Sequence, residues 1–198
     1  VNIGQINFEG NQPKRPRNEQ ILIKQVKSEV YSRLNQSLHS QFIILDKESQ
    51  PQKVKRIWDM DIKIGLRDSE TLSSQITILD VFNQDDVGGK LLVLGQPGSG
   101  KTTIQLELSR LLIENYVDTD PEYPIPVLIN LSSYRSETIH NWLLRELKSK
   151  YGIRNDIANN WLYEKKLILL LDGLDEIRSD FLETCIEAVN QYISSEQS

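Results

Sequence analysis

Two stretches of this chain carry residue types suited to handling a phosphorylated ligand. The first is Gly95-Gln96-Pro97-Gly98-Ser99-Gly100-Lys101-Thr102, followed by Thr103. Its fixed positions follow the spacing G-x-x-x-x-G-K-[ST]. Glycines let a backbone wrap closely around an anion and aim several N–H groups inward. A helix that opens at the end of such a loop adds its positive end. Lys101 would neutralise the β and γ phosphates, each charge-assisted hydrogen bond contributing roughly 1.5–3 kcal/mol. Thr102 offers a hydroxyl to Mg²⁺, which keeps most of its water and so needs few protein ligands.

The second stretch is LILLLDGLDE, residues 167–176. An aspartate that closes a buried strand reaches a Mg²⁺ held beside a neighbouring strand's phosphate loop, and Asp172 is that candidate. Asp175 and Glu176 follow three and four positions later, close enough to orient or deprotonate an attacking water. Taken singly, the first stretch could be a glycine-rich turn and the second a surface turn whose acids cap a helix. Found together, they point to a site for a nucleotide and Mg²⁺. No N-K-x-D stretch of the guanine-reading kind occurs, so the adenine nucleotides ATP and ADP are favoured.

The surrounding pattern supplies elements to position both stretches. Leu91–Leu94 reads as a buried strand running into the loop. A helix follows from about Gly100 to Asn115, with Ile104, Leu108, Leu111 and Leu112 inward. Pro126–Leu131 reads as a second strand. The next helix passes through Ile139, Trp142, Leu143, Leu147 and Tyr151, and Gly152 suits the position just past its end. A short helix from about Asn155 to Lys165 leads into Leu167–Leu171, a third strand apolar on both faces. Phe181–Ile193 reads as a helix burying Cys185, Ala188, Val189 and Tyr192. Doubly apolar strands alternating with amphipathic helices mark a parallel sheet covered on both sides. The expected fold class is therefore α/β: a P-loop NTPase-type parallel sheet flanked by helices, preceded by a small α+β segment.

That preceding segment is less regular. Residues 11–18, which include the basic cluster PKRPR, read as a solvated linker. Asn18 would cap a helix with Ile23, Val26, Val30, Leu34 and Leu38 along one stripe. Phe42–Leu45 is a short apolar run of strand type. Trp58, Met60, Ile62, Ile64 and Leu66 alternate with polar residues, the period of a half-buried strand. Ile76–Leu79 reads as a strand or as the start of a short helix to Phe82. The expected division is a tail at 1–17, a helix and strand segment at 18–86, and a partial NTPase domain at 87–198.

Composition narrows the possible partners. The 198 residues are 38% hydrophobic, enough for one good core or two small ones. A net charge of −5 gives no general attraction to nucleic acid or to an anionic membrane. Apolar runs reach at most five residues, against the ~20 that a membrane-spanning helix needs. A single cysteine, Cys185, excludes an internal disulfide and fits a reducing, cytoplasmic setting. His39 and His140 have no partners at metal-binding spacing. Trp142 and Trp161 read as packing anchors. Asp118, Asp120 and Glu122 read as a solvated connection. Arg56 and Trp58 lie upstream of the loop; Trp58 reads as core, with contact to an adenine ring as the alternative. The chain begins at Val1, not methionine, and reads as a piece of something longer.

A strand ending in Asp172, then Gly173 and Leu174-Asp175-Glu176, resembles the bacterial NACHT family of signal-transduction NTPases, of the STAND class. PIPVLINLSSY and SETIHNWLLREL, with the helical stretch Lys24 to Leu38, share that resemblance, which spans roughly residues 18 to 196. It implies a switch controlled by ATP and ADP, reset by slow hydrolysis. It also implies self-association through the NTPase domain, with effector and sensor domains outside this chain. In the family a further strand, between the phosphate-loop strand and the Asp172 strand, follows later than Ser198. The sheet is accordingly expected to leave backbone groups unpaired and apolar surface exposed. Two other functions fit the motifs less well: a small-molecule kinase, which needs a basic lid, and a nucleotide-independent scaffold.

Overall fold

In a computed structural model of the chain, the described residues are 14–45, 61–62, 70–71, 77–85, 87–93 and 98–195. Helix α1 (Arg17–Leu45) is the first of the described elements. Leu22, Val26 and Val30, four apart, bury one face of it, while Ile23 and Leu34 pack at its margin. Asn18 is not its cap, because the helix already includes Arg17 and its first bond runs from the Gln20 N–H to the Pro16 carbonyl. Phe42–Leu45 continues this helix and forms no strand. No glycine or proline interrupts residues 17–45, and extending a helix adds one hydrogen bond per residue fixed, whereas four strand residues need a partner.

Within the PKRPR cluster Lys14, Pro16 and Arg17 are exposed, but Arg15 is docked against the fold. The Arg15 guanidinium donates to the carbonyls of Asp120 at 2.6 Å, Tyr123 at 2.8 Å and Val117 at 3.4 Å. It also meets Glu19 at 3.3 Å, and the two side chains are only 9% and 4% exposed. The acidic connection at 118–122 is docked from the other side too, since Lys27 pairs with Asp118 at 2.7 Å. A planar guanidinium with five donors can satisfy several carbonyls of one turn at once, and this fastens the loop to α1.

Strands β1 (Asp61–Ile62) and β2 (Glu70–Thr71) form a two-residue antiparallel ladder. Of the alternating stretch only Asp61 and Ile62 are described; Arg56, Trp58, Met60, Ile64 and Leu66 lie outside the described residues. Ile78–Phe82 is a helix, α2, so the helical alternative for this stretch holds. Thr77 caps it by accepting from the Asp80 N–H while the Asp80 carboxylate accepts from the Thr77 N–H, a capping box.

Helix α3 (Lys101–Leu112) buries Ile104, Leu106, Leu108 and Leu112 and runs on through a π-helical turn, Ile113–Val117. Strand β3 (Ile125–Asn130) and strand β4 (Leu167–Asp172) pair in parallel, with Asn130 opposite Asp172. Between them come α4 (Ile139–Tyr151) and α5 (Asn155–Tyr163). Gly152, at φ 67°, ends α4 in the left-handed conformation that glycine adopts without strain. Helix α6 (Ser179–Ser195) follows β4 and fully buries Cys185, with Ala188, Val189 and Tyr192 partly buried. Trp142 and Trp161 are buried, as packing anchors should be.

The two edges of this sheet differ. On β3, the Leu128 N–H donates to the Tyr151 hydroxyl at 3.2 Å, and Lys150 donates to the Leu128 carbonyl at 2.6 Å. Pro126 shares that outer side by alternation, where its missing N–H costs the ladder nothing. The outer side of β4 has no neighbouring strand among the described residues, and Gln105 of α3 donates to its Leu171 carbonyl at 2.7 Å. Leu91–Val93 do not form the expected strand, and Leu92 is 62% exposed. A strand is defined by its ladder, and no described strand lies alongside these residues to supply one. Leu182, Ile186 and Ile193 of α6 are exposed as well.

Candidate phosphate and metal site

Gly98 and Gly100 have φ of 77° and 90°, the left-handed region that side chains rarely enter. They turn the chain sharply so that Lys101, Thr102 and Thr103 occupy the first turn of α3. Gly95, Gln96 and Pro97 lie outside the described residues. Ser99 sits in this turn with its hydroxyl oxygen buried and without a hydrogen-bond partner among the described residues. A buried hydroxyl in that state calls for an acceptor such as a phosphate oxygen.

Two motifs far apart in sequence meet here. The Thr102 hydroxyl donates to Asp172 Oδ2 at 2.8 Å, across 70 positions of chain. The other carboxylate oxygen, Oδ1, accepts from the Gly173 N–H at 3.0 Å, which fixes its orientation. Hydroxyl and carboxylate oxygens are the donors that Mg²⁺ prefers, so the residues present fit that ion. Lys101 Nζ pairs with Asp175 Oδ2 at 3.2 Å. The hydrogen bond from Lys101, helped by the backbone N–H of Asp175 itself, holds the Asp175 carboxyl below the usual range.

Glu176 takes a different partner. Its Oε2 accepts from Asn130 Nδ2 at 3.2 Å, while Asn130 Oδ1 accepts from the Ser132 N–H at 2.7 Å. Gly173 makes this possible. It has φ 76°, and a Cβ there would lie 2.7 Å from Asn130 Oδ1 and 3.0 Å from Glu176 Oε2. All these groups gather at the carboxyl ends of β3 and β4, where open α/β sheets bind their ligands.

Three residues of this cluster belong to neither motif: Asn130, Gln105 and Arg33, whose Nη2 lies 3.9 Å from Asp172 Oδ2. A sequence signal existed for Asn130 alone, as the polar residue that ends a buried strand in the way Asp172 ends its own. His140 Nε2 pairs with Asn159 Oδ1 at 2.9 Å, and the His39 side chain lies outside the described residues. Among the described residues no group of three or more His, Cys, Asp or Glu is arranged to hold a metal. Burial pushes the Cys185 thiol up, away from reactive thiolate. No helix among the described residues is long and apolar enough to cross a membrane.

A parallel sheet flanked by helices, with a lysine and a threonine opening one helix against the aspartate that ends a strand, defines an α/β domain of the P-loop NTPase type. A family model described as the NACHT domain matches residues 90–195, more than half of the chain. The chain belongs to the NACHT family, and the match makes it a nucleotide-binding NTPase module. Comparison with curated proteins and with solved structures finds no significant match.

Proposed function

We propose that this chain is the ATP- and ADP-binding module of a nucleotide-controlled switch, with slow Mg-dependent hydrolysis. The observation that carries the reading is the 2.8 Å contact between Thr102 and Asp172. In this reading the loop from Gly95 to Thr103 wraps the phosphates and Lys101 neutralises them. Thr102 and Asp172 hold Mg²⁺, which draws charge from the phosphates when bound. Lys101 leaves Asp175 for the phosphates, because a multiply charged anion outcompetes one exposed carboxylate. Glu176, steadied by Asn130, orients the water that attacks, and Asp175 shapes the same water-facing wall. Self-association, effector and sensor domains beyond this chain and a cytoplasmic setting belong to the same proposal. They follow from the family's way of working and not from any one contact.

The test is a calorimetric and thermal-shift titration with Mg-ATP, Mg-ADP and Mg-GTP, on the chain and on Lys101→Ala. A ligand at 100 times its dissociation constant should stabilise the fold by about 2.7 kcal/mol. Stabilisation by the adenine nucleotides that vanishes in Lys101→Ala supports the reading. Equal behaviour of the two proteins would sink it. Glu176→Gln should keep nucleotide affinity and lose turnover, and undiminished turnover would remove Glu176 from the water-orienting role.

A further inference from the structure

Helix α1 reaches the site from outside both motifs. Arg33 Nη2 lies 3.9 Å from Asp172 Oδ2, the same oxygen that accepts from Thr102. Arg33 Nη1 meets Glu29 Oε1 at 3.2 Å, one helical turn back. Glu29 in turn accepts from Lys150 at 2.6 Å, and the Tyr151 hydroxyl lies 3.1 Å from its other oxygen. The charges Asp172, Arg33, Glu29 and Lys150 therefore alternate in sign, from the candidate metal ligand across to the residues that close β3. Asp172 is four-fifths buried, and an anion so placed needs a counter-charge. A guanidinium is permanently charged and supplies one.

We propose that Arg33 is a resident counter-cation of the metal site, which Mg²⁺ must displace from Asp172, so that the docking of α1 depends on whether the site is loaded. This rests on the Mg-nucleotide reading above. A divalent ion and a guanidinium on one carboxylate oxygen repel each other, and the more highly charged ion prevails. Arg33 yields readily, because its contact with Asp172 is long and more than a third of its side chain faces water. Glu29 gives it somewhere to stay, held in place by Lys150 and Tyr151. Loading thus exchanges an Arg33 shared between two carboxylates for one held by Glu29 alone.

The experiment is a Mg²⁺ titration of ADP binding, with a parallel measurement in chelator, on the unaltered chain, Arg33→Gln, Arg33→Lys and Glu29→Gln. Removing the competing charge in Arg33→Gln should lower the half-effective Mg²⁺ concentration by up to about fivefold, the range of a partly exposed pair. Metal-free ADP affinity should not rise. Arg33→Lys should stay near the unaltered value. Glu29→Gln, which leaves Arg33 to Asp172, should shift the midpoint the opposite way. Amide exchange around residues 29–37 should quicken when the unaltered chain is loaded with Mg-ADP. An unmoved midpoint in both Arg33→Gln and Glu29→Gln overturns the proposal. So does an equal loss of affinity with and without Mg²⁺ in Arg33→Gln, which would make Arg33 a phosphate ligand. If ADP binds the unaltered chain and Lys101→Ala equally, or neither, the nucleotide reading itself falls and this inference with it.

Discussion

The Asp172 carboxylate has each oxygen engaged, one by the Thr102 hydroxyl and the other by the Gly173 N–H. That geometry ties the phosphate-loop motif and the strand end to one side chain. Asp172→Asn removes the charge and should make nucleotide affinity nearly indifferent to Mg²⁺, read by calorimetry with and without chelator. Gly173→Ala tests the neighbouring backbone. The new methyl would meet Asn130 Oδ1, which is itself held by the Ser132 N–H, so the obstruction cannot swing aside freely. Together with the left-handed φ, the expected cost is about 1–3 kcal/mol, read as a lower urea midpoint. That Lys101, Thr102 and Asp172 belong to one cluster was legible, because each sits at a fixed place in a motif with its own local spacing. Arg33 was not legible, because nothing near it in sequence announces a partner at the far end of the chain.

At the scale of elements, α1 is bolted along its length. Arg15 and Glu19 fasten one end, Lys27 and Tyr31 reach Asp118 and Glu114, and Glu29 meets Lys150 and Tyr151. Arg15→Ala removes a nearly buried cation from three carbonyls and leaves Glu19, among the described residues, with Lys166 at 3.4 Å. A loss of about 3 kcal/mol in equilibrium unfolding is expected, the lower range for breaking a buried pair. Alkali should loosen the same helix. Burial and the hydrogen bond to Glu114 push the Tyr31 hydroxyl up to about 12, and burial with Glu29 pushes Tyr151 higher than its usual value. Both hydroxyls are neutral in the fold, so their contribution is whole below the ordinary tyrosine value, about 10. Tyr31's share is lost as pH rises through about 12, and Tyr151's only at higher pH still. Tyrosinate absorbance followed beside helical circular dichroism checks this: ionisation should lag behind free tyrosine, and the fold should weaken with it. The four-residue stripe of Val26 and Val30 foretold the face of α1. Its extension to Leu45 goes with the lack of a breaker, which periodicity does not register.

For the whole molecule, one flank of the sheet is closed and the other is not. Tyr151 and Lys150 complete the backbone of β3, while the outer side of β4 has a glutamine side chain and no described strand. Leu92, Leu182, Ile186 and Ile193 add exposed apolar area. The alternation of helix and strand was readable because each element's burial pattern is its own property. Leu91–Leu94 misled because being a strand is a relation between two segments, and composition describes only one. Cys185 offers a probe of the whole. It is fully buried with its thiol pushed up by burial, so a thiol reagent should label it only as the fold opens. Labelling should slow when Mg-ADP is added, and labelling at the free-thiol rate in the native state would contradict the packing of α6.

The fastening at Arg15 has a mechanical consequence. Taken as a straight rod rising ~1.5 Å per residue, α1 carries Arg33 about 27 Å and Leu45 about 45 Å from that anchor. A pivot at Arg15 therefore turns a sideways displacement of 1 Å beside Asp172 into about 1.7 Å at Leu45. The fastenings at Lys27, Glu29 and Tyr31 lie between that pivot and Arg33, so such a swing has to release them first, and the helix stands as a brace against it.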